Sequence, residues 1–353
     1  MTFKDLKLIS QIQKAVEKEG YTEPTPIQAQ TIPLLLKGKD VMGIAQTGTG
    51  KTAAFTLPIL QGLFKDRKPI KKNFPRALVL TPTRELAAQI GDSFSTYGQF
   101  LDLKHTVIFG GVNQHAQVRK LSKGVDILVA TPGRLLDLMK QKHIFLDDIE
   151  YFILDEADRM LDMGFIHDVR KVITFLPKKR HSLFFSATMS PQVETLAKSM
   201  LESPEHIEVT PQATTVEKIK QRMFFVDHDD KNDLLKELMN EDHLKSVLIF
   251  TRTKHRANKV CEFLNKNNFD SAAIHGNKSQ NQRTKALSDF KLGKIKVLVA
   301  TDIAARGIDI DKISHVINYD IPNEAESYVH RIGRTARAGE EGDAYSFCAA
   351  DER

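Results

Sequence analysis

The sequence predicts an α/β chain of two tandem parallel-sheet lobes joined by a short flexible linker, and three observations carry that expectation. Short apolar, β-branched runs alternate with longer helical patterns along the whole chain. The alternation breaks once, from the Ser203-Pro204 turn to the polar stretch Pro211-Gln212-Ala213-Thr214-Thr215, and then restarts. Across the break, Leu78-Val79-Leu80-Thr81-Pro82-Thr83 is echoed by Leu248-Ile249-Phe250-Thr251-Arg252-Thr253, and Leu128-Val129-Ala130-Thr131 by Leu298-Val299-Ala300-Thr301, both pairs at the same offset.

Taken in order, the first lobe opens on an amphipathic pattern from Met1. Strand-like runs follow at Val41 to Ile44, Arg76 to Leu80, Thr106 to Phe109, Ile127 to Ala130, Tyr151 to Leu154, Leu183 to Ser186 and His206 to Thr210. After the break come Arg222 to Val226, Val247 to Phe250, Ala272 to His275, Lys296 to Ala300, Val316 to Tyr319, a helix over Ala325 to Ile332, and a last run Ala344 to Cys348. The expected division is residues 1 to 210, a linker at 211 to 217, and residues 218 to 353. No helix is expected after the last run, which suggests a truncated fragment.

At 353 residues with 41% hydrophobic content, the chain reads as soluble and globular. No stretch approaches the ~18 apolar residues of a membrane span, and Met1-Thr2-Phe3-Lys4-Asp5 has no signal-peptide architecture, so a cytoplasmic location is the default. The only cysteines, Cys261 and Cys348, form no Cys-x-x-Cys pair and are expected to be packed thiols rather than disulfide or zinc ligands. The net charge of +6 suits a polyanionic partner, although the signal is mild.

Two motifs point to nucleotide chemistry. Ala45-Gln46-Thr47-Gly48-Thr49-Gly50-Lys51-Thr52 follows a strand and leads into Ala53 to Leu57, a helix start. Gly48 and Gly50 permit the tight turn that aligns main-chain amides on phosphate, Lys51 reaches the β- and γ-phosphates, and Thr52 reaches Mg²⁺. Ala45 replaces the usual first glycine, so a ligand-free strand-to-helix turn is the alternative. Asp155-Glu156-Ala157-Asp158 puts two adjacent carboxylates just past the apolar run Tyr151 to Leu154, where a Mg-nucleotide would be held. Asp155 is expected to take Mg²⁺, partly through water, and Glu156 to position and deprotonate the attacking water. Near the other end, Arg331 and Arg334 stand three apart, on one face if the helix continues, and are candidate arginine fingers. A basic helix end answering its own dipole is the bland alternative.

Taken together these residues resemble the DEAD-box family of ATP-dependent RNA helicases, over essentially Phe3 to Phe347. Asp155 to Asp158 spells the family name, and Gly20-Tyr21-Thr22-Glu23-Pro24-Thr25-Pro26-Ile27-Gln28 is similar to its Q motif, with Phe3 as the isolated upstream aromatic. A Gln amide can pair with one adenine edge and an aromatic ring can stack on its face, so the resemblance implies that Gln28 selects ATP and Tyr21 stacks. It implies two RecA-like domains, ATP and Mg²⁺ as cofactors, Gly307 and Asp309 touching the nucleotide from the second lobe, and RNA as partner. Pro82, Thr83, Arg84, Gly111, Thr131, Pro132, Gly133 and Arg134 are similar to first-lobe RNA elements. Arg252, Thr253, His275, Gly276, Gln280, Arg283, Thr301 and Asp302 are similar to those of the second. Hydroxyls, amides and Arg without an aromatic platform imply a grip on backbone rather than bases.

Ser186-Ala187-Thr188 resembles the family's coupling motif, with Asp158 expected to bond across to it; a helix cap is the equal alternative. Met160 to Phe165 and the compact frame look most like the bacterial RhlE type, with ribosomal or RNA-decay proteins as candidate partners. The expected activity is ATP-dependent, sequence-independent unwinding of RNA duplexes or remodelling of RNA-protein complexes. A non-hydrolysing RNA clamp and a DNA translocase with the same engine are the rivals.

Overall fold

A computed structural model describes residues 1–46, 48–209, 219–305, 313–335 and 342–352, the side chains of Ile303 and Glu326 excepted. The expected linker, and with it Thr47, Gly307 and Asp309, lies outside the described residues. The chain forms two compact units, Met1–Thr210 and Pro211–Arg353.

In the first unit a 3₁₀ turn (Phe3–Leu6) and helices α1 (Ser10–Lys18) and α2 (Pro26–Leu36) precede strand β1 (Val41–Ile44). Then follow α3 (Lys51–Lys65), β2 (Ala77–Leu80), α4 (Arg84–Gly98), β3 (His105–Ile108), α5 (His115–Ser122), β4 (Ile127–Ala130), α6 (Pro132–Lys140) and β5 (Tyr151–Leu154). The unit closes with α7 (Ala157–Asp162), α8 (Ile166–Thr174), β6 (His181–Ser186), α9 (Pro191–Met200) and β7 (Glu205–Glu208). All pairings are parallel, in the order β3-β4-β2-β5-β6-β1-β7. Successive strand residues face opposite ways, so Ala77 and Val79 join the core under α1 to α4 while Leu78 and Leu80 join the one under α5 to α9. A strand buried on both faces must be apolar throughout, which is why these runs were readable.

The second unit contains β8 (Ile219–Phe225), β9 (Val247–Thr251), β10 (Ser271–Ile274), β11 (Val297–Thr301), β12 (His315–Asn318) and β13 (Gly342–Cys348), in the parallel order β10-β11-β9-β12-β13-β8. Taken strand by strand, this is the first sheet's order without its edge strand β7. The echoed segments occupy matching places, as the pairs β2·β4 and β9·β11. Expected strands agree with those found to within a few residues, the largest difference being β8, which starts at Ile219 rather than Arg222. Lys220 to Met223 are exposed on this edge strand, so no apolar run marks its beginning. A 3₁₀ turn, Ala350–Glu352, follows β13.

The first unit's stability leans on Phe185, fully buried with its ring centroid 5.8 Å from that of Phe55. A Cβ on Gly43 would come within 2.6 Å of the same ring. Phe185→Ala is expected to cost about 3–5 kcal/mol, seen as a lower urea midpoint for the first unit; an unchanged midpoint would show that the site collapses around the missing ring.

Candidate functional site

Parallel register brings the chemistry to one edge of the first sheet. Ile44 lies opposite Ser186, Phe184 opposite Leu154, and Leu154 opposite Leu80, so the loops after β1, β6, β5 and β2 emerge side by side. Ala45 N–H bonds to Ser186 O at 2.9 Å, and the chain then turns through Gly48 (φ +86°) and Gly50 (φ +93°) before α3 begins at Lys51. The loop thus ends on a helix N-terminus, whose free amides favour an anion. Thr49 Oγ1 donates to Gln46 O (2.8 Å), Thr52 sits half-buried in the first turn, and Lys51, 6% exposed, donates from Nζ to Ala45 O at 2.7 Å.

Gln28 is fastened to this loop. Its Oε1 accepts the Thr25 N–H (3.0 Å), closing the cap of α2, and its Nε2 donates to Gly50 O (3.1 Å). Each amide atom retains capacity for one further bond. A Cβ on Gly50 would sit 2.5 Å from Nε2, so glycine is required there for space as well as for φ. Tyr21 is 53% exposed, whereas Phe3 is buried in the core with its N–H 3.4 Å from Thr22 O. This corrects the expectation for Phe3: it braces the segment from inside rather than offering a stacking face.

Asp155 and Glu156 are both buried at the end of β5. Burial pushes the Asp155 carboxyl up to about 6, while the Lys51 charge pulls it back and Glu156 adds to the rise. Glu156 adopts φ +54°, ψ +53°, a left-handed conformation that costs a non-glycine residue about 1–3 kcal/mol and marks constrained sites. Its N–H bonds to Asp155 Oδ1 (3.0 Å), and its carboxylate pairs with Arg159 Nη1. Arg159 was missed by sequence reasoning; the acid-to-base spacing of three on α7 was the available signal.

Asp158 spans to the end of β6. Its Oδ2 accepts from Ala187 N (3.1 Å), Thr188 N (2.9 Å) and Thr188 Oγ1 (3.1 Å); its own N–H donates to Ser186 Oγ (3.2 Å), which in turn donates to Thr188 O (2.7 Å). The cap of α9 is Ser190, which accepts from Val193 N. Ser186-Ala187-Thr188 is therefore free of capping duty and belongs to the Asp158 network.

The expected RNA elements of this unit lie along the same edge. Pro82 is buried, and Thr83 caps α4 by accepting from Leu86 N (3.2 Å). The Arg84 guanidinium lies against Gly111 Cα, where any Cβ would collide with it. Thr131 and Pro132 start α6, Gly133 is exposed, and Arg134 donates to Gln117 Oε1 and Val112 O, each at 3.0 Å. Arg84 and Arg134 thus hold the Gly110 to Gln117 loop from two sides. Gln117 carries no motif that would have drawn notice.

In the second unit Thr251 lies opposite Thr301, and Phe250 opposite Asn318, so the segments after β9, β11 and β12 again share an edge. Arg252 is exposed, with Nη2 donating to Ile321 O (3.2 Å) and Glu352 Oε1 (3.1 Å); Thr253, also exposed, caps the helix Lys254–Lys266. Gly276 is exposed, Thr301 ends β11, and Gln280 and Arg283 lie in the first turn of the helix Gln280–Lys291.

His275 departs from expectation. Its ring is buried, Nδ1 accepts from Asn277 N–H (3.3 Å) and Nε2 faces Asn258 Oδ1 (2.9 Å), while burial pushes its pKa down. A buried ring with both nitrogens engaged shapes the Gly276 turn from inside.

Arg331 is the main correction. It is 2% exposed, grips both oxygens of Asp302 through Nε (2.6 Å) and Nη2 (2.7 Å), and donates from Nη1 to Asn318 Oδ1 (3.1 Å) and Asp320 O (2.7 Å). A guanidinium engaged in this way within its own unit acts as a buried brace rather than as a group held ready for a γ-phosphate. The shared-face argument fails because the helix Ala325–Ile332 stops at Gly333, which leaves Arg334 beyond it. The Asp302 carboxylate, expected among the RNA elements, is engaged with Arg331 through both oxygens. Arg334 stays in the candidate set, 8% exposed.

The family profile described as DEAD/DEAH box helicase matches residues 25–196, and that of the helicase conserved C-terminal domain matches residues 230–339. The chain is 43% identical to the DEAD-box ATP-dependent RNA helicase CshA of Bacillus subtilis over 353 residues, covering 100% of this chain and 70% of that protein. It is 44% identical to the ATP-dependent RNA helicase DeaD of Buchnera aphidicola, covering 100% of this chain and 58% of that protein. Among solved structures, S. cerevisiae Dbp5 bound to RNA and ADP BeF3 matches with a TM-score of 0.84 and 34% identity, over 99% of this chain and 89% of that one. A DEAD box protein from Methanococcus jannaschii matches at 0.57 and 38% identity, over 100% and 94%. With matches that run through both units at these identities, the chain belongs to the DEAD-box family of ATP-dependent RNA helicases.

Proposed function

We propose that the first unit binds and hydrolyses ATP and that the cycle drives local, sequence-independent opening of RNA duplexes or remodelling of RNA-protein complexes. The observation that carries this reading is the juxtaposition, on the adjacent ends of β1, β6 and β5, of Lys51, Asp158 bonded to Thr188, and the buried pair Asp155 and Glu156. Gln28 and Tyr21 would hold adenine, and the amides of Gly48 to Lys51 the phosphates. Lys51 would release Ala45 O to meet the γ-phosphate.

Thr52 and Asp155 fit a Mg²⁺ site: a hydroxyl and a carboxylate whose burial is only partly offset by Lys51, the donor set a small hard cation takes. Mg²⁺, when bound, would neutralise phosphate charge. Glu156, pinned by Arg159, would orient a water and accept its proton, and Arg334 would add positive charge when the units close. Gly307 and Asp309 remain proposed nucleotide contacts of the second unit. RNA would lie along both expected strips, with phosphate and sugar held by Thr83, Arg84, Gly111, Thr131, Gly133, Arg252, Thr253, Gly276, Gln280, Arg283 and Thr301. ATP and RNA would each favour closure and therefore each other. The RhlE-type placement rests on Met160 to Phe165 and the compact frame, whereas the relatives named above are CshA and DeaD. Ribosomal or RNA-decay proteins, met in the cytoplasm, are the partners this family reading suggests.

RNA should stimulate ATP hydrolysis and DNA should not; equal stimulation would favour a DNA translocase. Glu156→Gln is expected to keep nucleotide binding while turnover falls at least ~100-fold, and unchanged turnover would remove Glu156 from catalysis. Asp158→Ala should retain most ATPase activity but lose strand separation in a duplex-unwinding assay, an equal loss of both arguing against a coupling role. Arg334→Ala should bind ATP without hydrolysing it, whereas Arg331→Ala should lower the melting temperature of the second unit, because it strands the Asp302 carboxylate and the acceptors Asn318 Oδ1 and Asp320 O, at a cost of up to about 3 kcal/mol.

A further inference from the structure

The two sheets have the same strand order, so positions can be compared between them. The helix after β1 begins with the buried Lys51, and the helix after β8, Lys231–Met239, begins with Lys231, whose side chain is fully buried. Past β5 stand Asp155 and Glu156; past β12, the strand in the matching place, stand Tyr319 and Asp320. The second unit thus repeats the lysine and acid of the nucleotide site, with Lys231 Nζ 4.0 Å from Asp320 Oδ1. It lacks the glycine turn: Val226 to Asp230 hold three aspartates where an anion would have to enter.

The pair has other work. Lys231 Nζ donates to Tyr319 O (2.8 Å) and Glu352 Oε2 (2.6 Å), and Glu352 Oε1 in turn holds Arg252. Asp320, 3% exposed, accepts Arg252 N–H on Oδ2 (2.8 Å) and Arg256 Nη1 on Oδ1 (3.1 Å). Its own carbonyl accepts Arg331 Nη1 (2.7 Å), the guanidinium that clamps Asp302. A single buried residue therefore joins the Arg252 turn by its side chain to the Arg331 clamp by its main chain.

We propose that Asp320 is a positioning residue that couples the RNA-facing Arg252 turn to the segment bearing Arg331 and Arg334, a role built from a nucleotide-site acid whose nucleotide loop is gone. The proposal rests on the function proposed above. A shift of Arg252 on meeting a phosphate is carried through the buried carboxylate to its own carbonyl and on to Arg331, because a charge held by Arg256 and Lys231 in a low-dielectric interior has no cheap alternative partner. Asp320 touches neither ligand.

The test is the dependence of RNA affinity on nucleotide, measured on the full chain by fluorescence anisotropy of a single-stranded RNA with and without ADP–beryllium fluoride. Asp320→Asn should reduce the ratio of the two RNA dissociation constants by about tenfold, equivalent to ~1.4 kcal/mol of coupling. Arg252→Ala, which removes the group through which RNA would enter this network, should weaken RNA binding and lower the ratio toward that of Asp320→Asn, and a ratio left unchanged there would count against the proposal. A ratio unchanged in Asp320→Asn, with only a lower melting temperature, would make the residue merely structural and overturn the proposal. Should Asp320→Asn not fold, Arg256→Gln removes one arm from the half-exposed side. It should then lower the ratio about threefold, and no change there overturns the proposal equally. A wild-type chain whose RNA affinity ignores nucleotide would fail the proposed function itself, and Asp320 with it, whereas a coupled wild type with an unaltered variant fails Asp320 alone.

Discussion

Parallel strand register is the constraint on which everything else in this chain depends. Because all seven strands of the first sheet run the same way, every C-terminal end leaves at one edge, and residues as distant in sequence as Ala45, Asp158 and Ser186 meet there. The cost of parallel pairing is that each strand needs a crossover and both faces need covering. The sequence meets it with strands of four to six residues, apolar in the middle of the sheet and polar at its edges, and with helices between them. The site is thus a consequence of the sheet: Asp158 could not reach Thr188 without the pairing of β5 with β6.

What the sequence made legible follows from the same constraint. Doubly buried strands are apolar without interruption, so β2, β4, β5 and β9 stand out against any background. The phosphate loop and the acid pair were legible because the chemistry demands rare combinations, glycines around a lysine and two carboxylates after an apolar run. Edge strand β8 was legible only in part, since exposure removes the apolar signature. The misplaced residues share one cause: residue type does not report burial. Arg331, His275 and Phe3 are types that serve equally well outside or inside, and each lies inside. Arg331 adds a second lesson, because a spacing of three means one face only while the helix lasts, and this one ends at Ile332.

The residues that sequence reasoning passed over are partners rather than actors. Arg159 holds Glu156, Gln117 holds Arg134, and Asn318 and Asp320 hold Arg331. Only Arg159 stands at a telling spacing, three residues after Glu156, yet each decides where its partner points, and a group that must be ready before its ligand arrives needs that support. Glu156 shows this most directly. It is kept in a left-handed conformation that its side chain does not favour, and the Arg159 pair and the Asp155 bond over-determine it.

The second unit shows how far the frame of such a site can be matched without its glycine turn. Strand order, the lysine at the head of the first crossover helix and an acid past the matching strand are all retained, while the glycine turn is not. A buried lysine and a buried acid need partners, because an uncompensated charge in the interior costs several kcal/mol. Here Glu352 and Tyr319 O take Lys231, and Arg252 and Arg256 take Asp320. Charges in the places that face a nucleotide in the first unit are thus answered here by the chain itself, and the same contacts set Asp320 between the Arg252 turn and Arg331.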